Sequence, residues 1–78
     1  MSEEVNVIEY LEQLKEHSND ETLKDFVGLS LELLYSFEDS DIFNDLEFAS
    51  LAITEKYLQT KDKEALKGLV RGLRWILR

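Results

Sequence analysis

The stretch Asp20 to Phe37, D-E-T-L-K-D-F-V-G-L-S-L-E-L-L-Y-S-F, constrains this chain more than any other. On a helix advancing about 100° per residue, Leu23, Phe26, Val27, Leu33, Leu34 and Phe37 share one face. Leu29 and Leu31 widen that face from either side to roughly 200° of arc, broader than the stripe of a surface helix. A helix so broadly apolar must be covered by several neighbours. It is the expected centre of a small bundle.

The other segments supply those neighbours. Val7, Ile8, Leu11 and Leu14 recur at helical spacing, with Tyr10 at the edge, which predicts a first helix over about 3–16. Two starts are open to it. Ser2 caps it with Glu3 and Glu4 in the first turn, or Asn6 does, with Glu9 three residues on and Val5 stapled to Tyr10. The second helix spans about 20–37, with Ser18 (at capping-box spacing from Glu21) or Asn19 as its cap. Its Gly28 lies near Leu31 and Tyr35, where a second backbone has room to approach. Ser40 or Asp39 caps a third helix over about 41–59. Its core face is Ile42, Phe43, Leu46, Ala49, Ile53 and Tyr57, with Phe48, Leu51 and Leu58 on another side.

Thr60 or Asp62 opens a fourth helix, about 61–78. Ala65, Leu66, Leu69, Val70, Leu73, Ile76 and Leu77 form its broad apolar stripe. With no proline, three glycines and breaks only a few residues long, the chain suits helices joined by short turns. The expected fold is all-α: one domain over 1–78, a compact bundle of four mostly antiparallel helices.

Charge narrows the function. The net charge is −8, but it is uneven: residues 1–60 carry 15 acidic and 3 basic side chains, residues 61–78 carry 2 and 6. An acidic body repels phosphate and anionic lipid and attracts basic proteins. No cysteine is present for a disulfide, a thiol nucleophile or a Cys-type zinc site. The first residues lack a basic region followed by an apolar run, and no apolar run approaches the ~18 residues that span a bilayer. A cytoplasmic location follows as the default expectation.

Catalysis finds little support. The carboxylates fall on outward faces or beside caps rather than in a cleft that separates their pKa values. His17, the one histidine, sits in an expected exposed turn, without the partners of a triad. Glu38, Asp39, Asp41 and Asp45 cluster at one turn, but D-S-D-I-F-N-D lacks the fifth-position oxygen ligand, sixth-position glycine and twelfth-position glutamate of an EF-hand. No enzyme activity, cofactor or metal is expected.

The leading expectation is a non-catalytic interaction protein that offers an acidic helical surface to a basic protein. Inhibitors, antitoxins, immunity proteins and small phage-encoded blockers use such surfaces, because carboxylates occupy sites meant for phosphate; this is an analogy of size and charge. The expected contact residues are Glu38, Asp39, Asp41, Asp45 and Glu47, with Phe48 and Leu51 as the apolar centre. A rival reading takes the basic face of the last helix, Lys63, Lys67, Arg71, Arg74 and Arg78 with Trp75 alongside, as the contact of a small DNA-associated regulator. Against it, the same cations have an internal use, offsetting the carboxylates of helices one to three. A third reading is a structural homodimer closed through Phe48, Leu51, Leu58 or Trp75. Gly68-x-x-x-Gly72 adds an expected close helix crossing, within the bundle or between subunits.

Overall fold

The structure, a computed structural model, describes residues 6–77. Four helices follow in order: α1 (Val7–His17), α2 (Glu21–Ser36), α3 (Phe43–Thr60) and α4 (Lys63–Leu77). They form an all-α four-helix bundle. The expected starts at Ser2 and the Val5 staple, like Arg78 at the other end, lie outside the described residues.

Each boundary has a local cause. Asn6 caps α1, its side chain accepting from the Glu9 N–H at 3.1 Å. The cap of α2 is neither Ser18 nor Asn19. Asp20 takes that place, its Oδ1 accepting from the N–H groups of Thr22 and Leu23. Ser18 acts one step earlier, accepting from the Asp20 N–H at 3.0 Å. Between α2 and α3 the chain makes two tight turns, with Ser40 N–H donating to the Phe37 carbonyl and Phe43 N–H to that of Ser40. Helix α3 therefore starts two residues later than its charge pattern suggests. Ile42 stands at its cap position with no side-chain cap, and Ser40 Oγ accepts from Ile42 N–H instead. At the other end Lys61 adopts a left-handed conformation (φ 56°), and Asp62 caps α4 by accepting from Ala65 N–H at 3.2 Å.

Helix α2 touches all three other helices, as its two-sided apolar face requires; α1 also meets α3, and α4 packs on α2. Directions alternate. The Tyr35 hydroxyl, late in α2, reaches Glu12 in α1, and the Tyr57 hydroxyl, late in α3, reaches Asp20 at the start of α2. The core is Leu11, Leu23, Phe26, Val27, Leu31, Leu34, Tyr57, Leu66 and Val70. The molecule measures 36 × 31 × 19 Å, so it is about two helices thick and every helix but α2 keeps a wide outer face.

Several side chains depart from the apolar pattern. Phe37 and Ile42 are exposed because they lie in or beside the turns, out of helical register, and Ala49 is exposed on α3. The centre of the α3 core face is instead Ser50 and Thr54, both buried, and Thr54 Oγ1 has no hydrogen-bond partner among the described residues. Small polar side chains let α3 approach α2 and α1 at the cost of desolvating hydroxyls. A Cβ at Gly28 would meet the Lys15 side chain at 3.8 Å, not a second backbone. The expected close crossing at Gly68 and Gly72 is absent from the bundle, since a Cβ at either position would meet open space.

Candidate interaction surfaces

The acidic corner begins where α2 ends. Glu38, Asp39, Asp41 and Asp45 are all exposed there. Phe48 follows one turn after Asp45 and is 73% exposed. Asp45, Phe48, Ala52 and Glu55 recur at three- and four-residue spacing, so they share one outward face of α3 and all four are exposed. Glu47 lies roughly 160° round the helix from Asp45 and, like Leu51, is half-buried. The expected contact set is thus divided. Asp41, Asp45 and Phe48 sit outward, Glu38 and Asp39 occupy the preceding turn, and Glu47 and Leu51 form a flank. Ile42 (44% exposed) and Phe37 add apolar surface to the same corner. Periodicity alone had assigned both to the core.

The basic face of α4 is largely engaged at home. Lys63 Nζ lies 3.1 Å from Asp20 Oδ1 and Arg74 lies 3.4 Å from Asp25, both on α2. Lys67 approaches Glu64 of its own helix at 4.0 Å. Arg71 is exposed and joins Lys67 and Arg74 around a shallow hollow that Thr22 and Asp25 also line. Trp75 is 74% exposed, so it does not shield the end of the bundle as a half-buried residue would.

One cluster was not visible in the spacing. Asp20 caps α2 and at the same time accepts from the Tyr57 hydroxyl and the Lys63 ammonium. The hydrogen bond from Tyr57, aided by those from Lys63 and Leu23, outweighs partial burial and lowers the Asp20 pKa to about 2. The same contacts push Tyr57 and Lys63 upward, because each proton is held against the carboxylate. The Tyr35 hydroxyl donates to Glu12 Oε2 at 2.5 Å and is raised for the same reason. A tyrosine held protonated and a carboxylate held ionised, already bound to each other, make a fastening between α2, α3 and α4 rather than an acid–base pair. The sequence placed Tyr57 on the α3 core face and Lys63 on the basic face of α4 and gave the α2 cap to Ser18 or Asn19, so nothing pointed to Asp20, whose partners are 37 and 43 residues away.

Between α3 and α4 runs an open groove of about 480 Å³. Its walls are mostly apolar, with Ala52, Ile53 and Tyr57 on one side and Ala65, Leu66 and Leu69 on the other. Lys56 stands at its rim, and Lys61 sits over the Tyr57 ring at 5.8 Å. No helix among the described residues is long and apolar enough to cross a membrane. Comparison of the chain with family models, with curated proteins and with solved structures finds no match.

Proposed function

We propose that the protein is a small non-catalytic binding domain that presents the α2–α3 turn and the outer face of α3 to a basic partner protein, in the manner of an inhibitor, antitoxin or immunity protein. One observation carries this reading: Phe48, a large apolar side chain, stands 73% exposed on a face where Asp45 precedes it by one turn and Glu55 follows by two. An aromatic anchor ringed by charge is the arrangement of an interface centre with a polar rim. The carboxylates steer a cationic partner and set its orientation; Phe48 and Ile42 supply the area withdrawn from water.

The test is co-purification with a basic protein, followed by affinity measurement on variants. Asp41→Lys/Asp45→Lys should weaken binding and reduce its salt dependence. Phe48→Ala should cost about 2 kcal/mol or more, roughly thirtyfold in Kd. Unchanged affinity in both variants would move the interface elsewhere.

The rival reading, a DNA-associated regulator using α4, has less support, because Lys63 and Arg74 already pair with α2. Its test is a mobility shift at low salt that disappears in Arg71→Ala/Arg74→Ala.

A further inference from the structure

Helix α4 carries two apolar faces, and the bundle uses one. Leu66 and Val70 are buried against α2, with Leu73 half-buried beside them. Ala65, Leu69, Gly72 and Ile76 form the other at spacings of four, three and four residues, within roughly 60° of arc. All four are exposed, Leu69 at 41% and Ile76 at 70%, and nothing lies within 4 Å of a Cβ built on Gly72. Ala65 and Leu69 of this row line the α3–α4 groove. The row holds no charge, in a chain of which 33% is charged.

We infer that this row is the seam of a homodimer in which α4 of one copy lies antiparallel to α4 of a second, each over the other's α3–α4 groove. The order small, large, small, large fits that packing and disfavours the alternative. With the twofold axis between Val70 and Arg71, Ile76 meets Ala65 of the second copy and Leu69 meets its Gly72. Every bulky side chain then faces a hollow. In a parallel pairing Leu69 would meet Leu69 while Gly72 met Gly72, leaving crowding in one layer and a void in the next.

Charge does not oppose this occupant. The charged side chains lining the groove are Lys56 and Asp62, one of each sign. The cations Lys63, Lys67, Arg71 and Arg74 lie on the far side of α4, so none is buried in the seam. Such an interface is isologous and closes at two copies. Phe48 does not line the groove, although Ala52 one turn on belongs to both surfaces; the seam rests on α4 and does not depend on the function proposed above.

Sedimentation from micromolar to millimolar concentration tests this. The unaltered chain should associate to a dimer and no further. Leu69→Glu/Ile76→Glu should raise the dissociation constant by at least about a hundredfold while leaving the helical circular dichroism unchanged, since both side chains are exposed in the single copy. Phe48→Glu should leave the dimer intact. Because the chain has no cysteine, the register is testable by oxidation. A mixture of Ala65→Cys and Ile76→Cys chains should cross-link between the two kinds and not within either. A monomer at every concentration overturns the inference, as does a dimer that survives the two glutamates or dissociates in Phe48→Glu. Cross-links between like chains overturn the antiparallel register.

Discussion

Asp20 shows how much one side chain can join. It terminates a helix, receives a hydroxyl from α3 and receives an ammonium from α4. Because its folded pKa is depressed to about 2, the fold favours the ionised form. The stability this adds is present above the ordinary aspartate value near 4 and is lost as pH falls through about 2. The side chain keeps some solvent contact, so the effect should be about 1–2 kcal/mol. Asp20→Asn retains a cap but not the charge, so urea unfolding should show a flatter stability profile between about pH 4 and pH 2. Asp20→Ala should cost about 2–3 kcal/mol at neutral pH, since it also strands the Tyr57 hydroxyl. Thr54 is the opposite kind of residue, with its hydroxyl buried and unsatisfied among the described residues. Its place on the α3 core face was hidden in the sequence, because an apolar count passes over a threonine.

At the scale of elements, α4 is the most revealing. Its helical state is secured by the Asp62 cap and by Leu66 and Val70 against α2. Gly68 and Gly72 work against it, and nothing in the bundle explains them, because both face open space. Gly68 lies beside the apolar row rather than in it. Gly68→Ala should therefore raise thermal stability by about 0.5–1 kcal/mol, the ordinary gain of alanine over glycine in a helix. A loss of stability instead would mean that a backbone packs closely at this point. Helix α3 teaches a different lesson. Its acidic N-terminal region suggested a start at Asp41, but the hydrogen-bonded turns from Phe37 to Phe43 delay it to Phe43 and turn Ile42 outward. Caps are short-range competitions between neighbouring polar side chains, and several candidates in a row leave the winner undetermined by pattern alone.

In the whole molecule, stability converges on α2, which packs on all three other helices. Leu34, fully buried there, should cost about 3–4 kcal/mol on truncation to alanine. The loss should appear in a single transition, with circular dichroism and the fluorescence of Trp75 on outlying α4 reporting the same midpoint. Separate midpoints would show α4 detaching first. The all-α class, the four helices and the primacy of α2 were legible from apolar periodicity, because a 200° apolar face has no stable solution except burial on several sides. The acidic corner was legible too, since a run of carboxylates cannot enter a core. What only the tertiary structure decided was pairing and direction: which cations of α4 meet Asp20 and Asp25, which capping side chain prevails, and which greasy residues stay outside. Those outcomes depend on contacts between residues far apart in the chain. Periodicity reports which face of a helix is apolar, but not how much of that face its neighbours have the surface to cover.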